Sequence, residues 1–284
     1  MANMTRKIFG KIYKLKEKHK WLDVENEAFQ NIIFDECDNE ENQDFVIDLL
    51  HRINYISQKQ YREYIDALTL DITTHPELDI SNTLVTTMSG SSKPDSSHEV
   101  IYAIKISYGK NGLQPFDSFV NFQKSIKKIQ KNNEIKNIVI VDEFIGSGIT
   151  ALNQHNTLVK QLHGSNLPKI NIYIKTIAAS ICGLELLAKN NVNTSTLVKI
   201  NRGISDFYET DLARHKIEEM IRLEGILNPI CKGEELPSLG HGKCESLYCR
   251  EEGNTPNNVL PIFWWPCHVN GIDRKTILHR TLGI

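Results

Sequence analysis

The stretch that decides the fold reads Ile138-Val-Ile-Val-Asp142-Glu143-Phe144-Ile145-Gly146-Ser147-Gly148-Ile149-Thr150. Its four leading apolar residues do not alternate with polar ones, which predicts a strand buried on both faces of a parallel sheet. Two adjacent acids end this strand, a glycine-bearing loop follows, and a helix is predicted from Thr150. Ligands bind at the carboxyl ends of strands in open α/β sheets, and helix N-termini bind anions. The stretch therefore predicts carboxylates that bind hydroxyl groups or Mg²⁺, beside amides and hydroxyls that bind a phosphate.

The segments around this stretch alternate between predicted strands and helices. Strands are predicted at 83–88, 137–141, 169–179 and 196–200. Helices are predicted at 98–108, 116–131, 150–163, 183–190 and from about 211 to 227. This rhythm is typical of parallel βαβ units, so the predicted fold class is α/β, with a parallel sheet flanked by helices.

The N-terminal part has a different texture, with helical patterns in the first twenty residues and around 45–53 and 58–70. The first helix is basic, whereas the thirty residues after it are strongly acidic. Charged faces of surface helices are normally solvated, and this is the ordinary interpretation. The alternative is a docking surface for a charged partner.

Length and composition exclude several classes of protein. The chain has 284 residues and a net charge of −2, which fits one large domain or two small ones without an overall basic footprint for nucleic acid. No apolar run reaches the roughly 18 residues of a membrane span, and the basic N-terminus lacks the apolar region of a secretory signal. We therefore expect a cytoplasmic protein whose six cysteines are reduced thiols.

The glycine loop also fits two other patterns in part. Gly146–Ala151 matches the G-x-G-x-x-A dinucleotide fingerprint, but that fingerprint needs an acid about 20 residues on, and 164–180 contains none. The Gly-Lys-Ser/Thr of a Walker A loop is absent. A Rossmann dehydrogenase and a P-loop NTPase are therefore disfavoured.

The segment Asp142–Thr150 resembles the D-P-F-x-G-S-G-T-T loop of amino-methylating DNA methyltransferases. Those enzymes also need a D/N/S-P-P-Y/F/W tetrapeptide that holds the extruded base, and the sequence has none. An S-adenosylmethionine-dependent methyltransferase stays an alternative on this loop alone.

The same segment resembles the phosphoribosyl-pyrophosphate motif of type I phosphoribosyltransferases: four apolar residues, two acids, one apolar residue and a small-residue loop. Phe144 and Gly146 depart from the residues common there, without removing a needed donor. The resemblance implies that Asp142 and Glu143 bind ribose hydroxyls and that the loop holds the 5′-phosphate. The loop residues so implied are Gly146, Ser147, Gly148, Ile149 and Thr150. Mg²⁺ would enter with phosphoribosyl pyrophosphate, and no metal site made by protein residues alone is predicted.

The resemblance also implies a pyrophosphate loop after an earlier strand, at Ser89, Gly90, Ser91 and Lys93. Gly90 lets backbone amides approach an anion. Lys93 would supply a positive charge to the pyrophosphate that leaves in the phosphoribosyl transfer of this family. Arg202, which follows the last predicted strand, is a further candidate for a phosphate contact. The other interpretations are a solvated linker for the loop and an ordinary surface arginine.

A segment near the C-terminus, Asn254–Trp265, resembles a branch of phosphoribosyltransferase-like proteins found in bacterial conflict and anti-phage systems, including some retrons. That resemblance implies a defence role beside partner proteins, with a reverse transcriptase and its nucleic acid as one candidate partner. Trp264 and Trp265 are interpreted as core residues rather than base-stacking platforms.

The predicted organisation is a helical extension at 1–80, a phosphoribosyltransferase-like core at 81–208, and a C-terminal helix and hood at 209–284. Cysteines and histidines crowd the hood, but their spacing matches no known zinc ribbon or knuckle. Small buried hydrophobic residues are the favoured interpretation of these cysteines, and zinc is not. They are Cys231, Cys244, Cys249 and Cys267.

Overall fold

The computed structural model describes residues 5–88, 96–112, 119–120, 122–132, 134–163 and 169–282. It divides the chain into two compact units. One unit joins Met1–Ser57 to Ile200–Ile284, and the other is the continuous segment Gln58–Lys199. The division predicted at residues 80 and 208 stays a prediction.

The N-terminal part of the discontinuous unit is helical, as predicted. Its α-helices are α1 at Arg6–Lys18, α2 at Asn26–Gln30 and α3 at Glu40–Arg52, and a short strand, β1, covers Asn54–Ile56. The side chain of Thr5 accepts a hydrogen bond from the amide of Ile8, which explains why α1 begins where it does. Ile8 and Leu15 are buried, so α1 packs through one apolar face.

The opposite charges of α1 and α3 pair with each other. The Lys7 ammonium lies 2.5 Å from the Asp44 carboxylate, and the Lys11 ammonium lies 3.2 Å from it. Burial alone would raise the pKa of Asp44, but the hydrogen bonds and charges of Lys7 and Lys11 outweigh it and lower that pKa. Part of the charge that could attract a partner is thus satisfied within the unit.

The continuous unit carries the predicted alternation. Its helices are α4 (Gln58–Thr74), α5 (Ser96–Lys110), α6 (Phe122–Lys131), α7 (Ile149–His163) and α8 (Ile181–Lys189). Its strands are β2 (Thr83–Thr87), β3 (Phe119–Val120), β4 (Asn137–Ile145), β5 (Asn171–Ser180) and β6 (Asn193–Ile200). They form one sheet in the order β3-β2-β4-β5-β6, and the pairs β2–β3, β2–β4 and β4–β5 are parallel. The predicted fold class, a parallel sheet flanked by helices, is confirmed.

The core of this unit explains why β4 sits near the centre of the sheet. Its residues 138–141 have no exposed surface, as the absence of alternation predicted. Leu84, Ile140 and Ile174 come from three adjacent strands and join residues of α6, α7 and α8 in one apolar cluster. Burial of such side chains is the main force that holds the sheet and its helices together.

Several predicted boundaries are wrong, and for two of them strand pairing gives the reason. Residues 116–131 do not form one helix, because Phe119 pairs with Val85 of β2 and the helix begins only at Phe122. Pairing with an existing strand overrode the local helical pattern. The second error is the end of β4, which passes through the two acids to Ile145 because it keeps pairing with β5 up to Ala179.

The C-terminal part of the discontinuous unit contains α9 (Thr210–Glu224), β7 (Ile230–Cys231), β8 (Glu234–Glu235) and β9 (Tyr248–Arg250). Strand β9 pairs in parallel with β1, so that Asn54 lies opposite Tyr248. Trp264 and Trp265 are each 1% exposed, which confirms them as core residues.

One cysteine pair corrects the expectation of reduced thiols. Cys231 and Cys267 form a disulfide, because the fold brings their Cα atoms to 5.8 Å, a separation that a disulfide spans. This pairing also removes two of the four C-terminal thiols from any zinc site. None of the described helices is long and apolar enough to span a membrane.

Candidate functional site

The candidate site lies at the carboxyl end of β4. Asp142 and Glu143 are its sixth and seventh residues, and successive strand side chains point to opposite faces of the sheet. Asp142 is half-buried, whereas Glu143 is only 5% exposed. The structure therefore separates two acids that the sequence had presented as equivalent, and Asp142 is the more accessible of them.

The Asp142 carboxylate is held in place by two donors. Its Oδ1 accepts a hydrogen bond from the Glu143 amide at 2.7 Å and another from the Ser96 hydroxyl at 3.2 Å. Ser96 is the first residue of α5, so the N-terminus of this helix lies beside the end of β4. Sequence reasoning missed Ser96, although a serine at the start of a predicted helix is a recognisable signal.

Strand order explains why these groups meet. Along the sheet β2 lies between β3 and β4, so the chain leaves β2 to one side for β3 and returns to the other side for β4. Open α/β sheets bind ligands at such a switch point, outside the carboxyl ends of the strands. Here the switch point lies between the ends of β2 and β4, where the acids lie. The loop that follows β2 contains Ser89, Gly90, Ser91 and Lys93, and these four predicted residues lie outside the described residues.

The glycine loop turns sharply between β4 and α7. Gly148 has a φ of +78°, a conformation that glycine adopts without steric cost. The carbonyl of Gly148 accepts the amide of Leu152 at 2.9 Å, so α7 begins directly after the turn, one residue before the predicted start at Thr150. The first turn of this 15-residue helix leaves amides without partners inside the helix, and such amides bind anions.

Two residues far along the chain fix the shape of this loop. The Ser180 hydroxyl donates to the Gly146 carbonyl at 2.6 Å and accepts the Gly183 amide at 3.0 Å, which also caps α8. A Cβ on Gly183 would lie 2.8 Å from the Ile145 side chain and closer still to the Gly146 carbonyl. No local motif marks Ser180 and Gly183 as loop supports, so they could be found only from the folded structure.

A buried hydroxyl lies beside Asp142 in the sheet. Thr176 of β5 is directly opposite Asp142 in the parallel register and has no exposed surface. Its Oγ1 has no hydrogen-bond partner among the described residues. A buried polar group without a partner is uncommon, and a bound water, ion or ligand is one explanation for it.

The predicted loop residues meet at one place, whereas Arg202 belongs to the discontinuous unit. Phe144 is half-buried near the end of β4, Ser147 is half-buried in the loop, and Ile149 and Thr150 are exposed. The Arg202 guanidinium lies 3.5 Å from the Asp206 carboxylate, which also accepts the Arg202 amide at 2.8 Å. Its predicted contact with a phosphate stays a prediction.

Comparison with known proteins gives one strong match. The model of the family PRTase-CE matches residues 8–280, which is nearly the whole chain. No curated protein matches the chain.

Two solved structures resemble part of the chain. They are an orotate phosphoribosyltransferase from Aeropyrum pernix, at 12% identity, and a xanthine-guanine-hypoxanthine phosphoribosyltransferase from Helicobacter pylori, at 14% identity. The matches cover 50% and 52% of this chain, and 72% and 83% of the respective structures. Both have a TM-score of 0.31, so no argument about this chain rests on them.

Proposed function

The chain belongs to the PRTase-CE family, which makes it phosphoribosyltransferase-like, and we propose that it binds phosphoribosyl pyrophosphate or a nucleotide at the end of β4. One observation carries this proposal. A half-buried carboxylate, a glycine turn and the N-terminus of a long helix follow one another at the switch point of the sheet. A phosphorylated ribose presents hydroxyl groups and a phosphate in the order that this arrangement can bind.

The residues have distinct roles in this proposal. Asp142 accepts hydrogen bonds from ribose hydroxyls, with Ser96 holding its carboxylate in place. The amides of the Gly146–Thr150 segment and the hydroxyls of Ser147 and Thr150 bind the 5′-phosphate. Glu143 is buried, so its contribution is smaller than that of Asp142 or acts through its neighbours.

The proposed reaction is transfer of the phosphoribosyl group to a base or another acceptor. The bond between C1′ of the ribose and a pyrophosphate oxygen breaks, and pyrophosphate leaves with the electron pair. A nucleophilic atom of the acceptor then forms a bond to C1′ and gives up its proton. No protein nucleophile is needed, so the protein acts by positioning both substrates and by stabilising charge.

Magnesium fits the donors present at this edge of the sheet. Carboxylate and phosphate oxygens are the ligands that Mg²⁺ prefers. Asp142 supplies a carboxylate, and the rest of the coordination would come from the phosphates of the substrate and from water. Bound in this way, the ion would neutralise the charge of the leaving pyrophosphate.

A thermal shift measurement tests the binding proposal. A ligand that binds only the folded state at 100 times its Kd stabilises that state by about 2.7 kcal/mol. We expect phosphoribosyl pyrophosphate with Mg²⁺ to raise the Tm by several degrees and S-adenosylmethionine to leave it unchanged. The double variant Asp142→Asn/Glu143→Gln should lose the shift. A shift given by S-adenosylmethionine alone would identify the methyltransferase alternative instead.

A matched control separates loss of the site from loss of negative charge. Glu234 and Glu235 are also adjacent acids in a strand, and both are exposed. The variant Glu234→Gln/Glu235→Gln changes the net charge by the same amount and should keep the full shift. If both double variants lose it, the effect is one of overall charge and the proposed site is wrong.

The release of pyrophosphate distinguishes a transferase from a subunit that only senses its ligand. If the protein binds phosphoribosyl pyrophosphate and releases pyrophosphate in the presence of candidate bases, it is a transferase. Binding without any release would instead favour a non-catalytic sensing or scaffolding subunit, which keeps the loop but not the chemistry.

We further propose that the protein acts in the cytoplasm in an anti-phage system beside partner proteins, with a reverse transcriptase and its nucleic acid as one candidate partner. The support for this role is the resemblance of Asn254–Trp265 to that branch of phosphoribosyltransferase-like proteins. A plaque assay on cells that carry the complete gene neighbourhood tests it. The Asp142→Asn/Glu143→Gln variant should lose protection, and the Glu234→Gln/Glu235→Gln variant should keep it.

A further inference from the structure

A second group of ligating side chains lies in the discontinuous unit, which does not contain Asp142 or the glycine loop. His215 and Glu219 are four residues apart on α9 and therefore share a helix face. Glu41, in the first turn of α3, faces them, and one ligand atom from each of the three lies within 4.8 Å of the others. Among the described residues, this is the only such group of three or more histidines, cysteines and acids.

The burial of Glu219 is the second, independent sign of a ligand. Glu219 is 3% exposed, and its Oε2 lies 2.6 Å from the Lys216 ammonium. Its Oε1 is also buried but has no hydrogen-bond partner among the described residues. A buried carboxylate oxygen without a partner is costly, and a bound cation is one way in which proteins satisfy such an oxygen.

On the side opposite the buried Glu219, this group of three residues is open to solvent. Glu41, His215 and Glu219 all line one cleft of about 290 Å³. Glu41 and His215 are exposed, so an ion can reach them without any rearrangement of the core. Three more charged residues line the cleft: Asp38, Arg222 and Glu36, whose carboxylate is paired with Arg274.

The donor set indicates the class of ion. One imidazole nitrogen and two carboxylate oxygens suit a divalent transition metal, because imidazole binds Zn²⁺ well and carboxylates complete such sites. Three protein ligands leave a coordination position for water or for another molecule. We propose that Glu41, His215 and Glu219 bind a Zn²⁺-like divalent ion.

Lys216 determines how such a site can work. Its ammonium lies 2.6 Å from Glu219 Oε2 and 3.2 Å from Glu41 Oε1, and it also lies over the Phe45 ring. The ammonium holds the two carboxylates together, but it would repel an incoming cation. In the proposal the metal displaces Lys216 from the carboxylates, and the long side chain moves its charge towards solvent.

Titration of the full-length protein with Zn²⁺ by calorimetry tests this proposal. We expect one site that His215→Ala weakens by at least ~10-fold, the lower end of what even the loss of an outer-shell partner costs. Lys216→Met, which removes the competing charge, should tighten binding by about tenfold. His163→Ala, which removes an exposed histidine of α7, is the matched control and should bind as the wild type does.

The remaining cysteines require a second measurement, since thiolates also bind zinc. Co²⁺ bound by imidazole and carboxylates gives weak visible bands without the intense near-ultraviolet band of a thiolate complex, and His215→Ala should remove those bands. The proposal is overturned if His215→Ala binds Zn²⁺ as tightly as the wild type. It is also overturned if the wild type has no site, including the case in which one appears only in Lys216→Met, because Lys216 would then be the resident cation.

Discussion

The unit Gln58–Lys199 is one continuous segment, whereas the other unit is assembled from the two ends of the chain. In the continuous unit, apolar strands pack against helices that lie next to them in sequence, and residues 138–141 are fully buried. In the discontinuous unit, β1 pairs with β9 across most of the chain length. The first kind of structure follows from local patterns, and the second depends on specific contacts between distant segments.

One of those contacts is the buried ion pair between Arg274 and Glu36. Arg274 donates to both oxygens of the Glu36 carboxylate at 2.6 Å and also to the Ile262 and Trp265 carbonyls. The side chain of Arg274 is 4% exposed and that of Glu36 is 12% exposed. The pair joins the two chain ends, and an arginine that satisfies four acceptors cannot be removed without leaving them unpaired.

Breaking this pair should therefore have the largest effect. Arg274→Met keeps most of the apolar stem but leaves the Glu36 carboxylate buried and uncompensated. We expect a loss of ~3–5 kcal/mol in the free energy of unfolding. All three tryptophans, Trp21, Trp264 and Trp265, belong to this unit, so tryptophan fluorescence during urea unfolding measures the effect where it occurs.

The neighbouring lysine provides the control. Lys275 pairs with Glu27, but both side chains are more than 60% exposed. Solvent screens such a pair, so Lys275→Met should change the stability by less than about 1 kcal/mol. If Arg274→Met and Lys275→Met lower the free energy of unfolding equally, the burial of an ion pair does not determine how much it stabilises this unit.

The sequence predicted the continuous unit far better than the other. A non-alternating apolar run identified β4, and the alternation of strands and helices identified the sheet. The pairing of β1 with β9 left no local signal, since strands of three residues are too short to show a period. The disulfide was missed for the same reason, because the approach of Cys231 to Cys267 is a property of the folded chain.

Glu224 is a buried titratable group in the discontinuous unit. Its carboxylate is 3% exposed, and it accepts the Ser238 hydroxyl at 2.5 Å and the Leu239 amide at 3.1 Å. Burial raises the pKa of Glu224 to about 7, although those two hydrogen bonds act in the opposite direction. The folded state therefore binds a proton that the unfolded chain releases near pH 4.5.

This shift predicts a pH dependence with a definite sign. Between about pH 4.5 and 7 the folded state holds more protons than the unfolded state, so stability falls as the pH rises through this window. The full loss is about 3 kcal/mol, since each pKa unit corresponds to about 1.4 kcal/mol. Glu224→Gln, which cannot ionise, should flatten this part of the curve measured by urea unfolding at several pH values. A slope that persists in Glu224→Gln would assign the effect to another group.

The sequence predicted the candidate site only in part, less completely than the sheet of the continuous unit but more completely than the discontinuous unit. The motif Asp142–Thr150 was visible because its acids and glycines are adjacent in sequence. The supports at Ser180 and Gly183 were not, because they act on the loop from the start of α8. The sequence also did not show that Asp142 and Glu143 differ in accessibility, because this difference arises from the continuation of β4 through both acids.

Substitution of Gly183 therefore tests whether the glycine loop is shaped by its own residues alone or also by α8. The alanine in Gly183→Ala would place a Cβ 2.8 Å from the Ile145 side chain and against the Gly146 carbonyl, so the glycine loop must move. Overpacking of this kind costs ~1–3 kcal/mol. Hydrogen exchange of the β4 and β5 amides should show the loss, and the thermal shift given by phosphoribosyl pyrophosphate should shrink with it.

Gly109→Ala is the matched change in the same unit, because no atom lies within 4 Å of its added Cβ and the residue is helical. It should leave the loop unchanged and stabilise α5 by roughly 0.5–1 kcal/mol. If Gly183→Ala behaves like Gly109→Ala, the loop is held by its own residues, and the long-range support from Ser180 and Gly183 is unimportant. If it behaves as expected, even the most local motif of this chain depends for its shape on a helix more than thirty residues away.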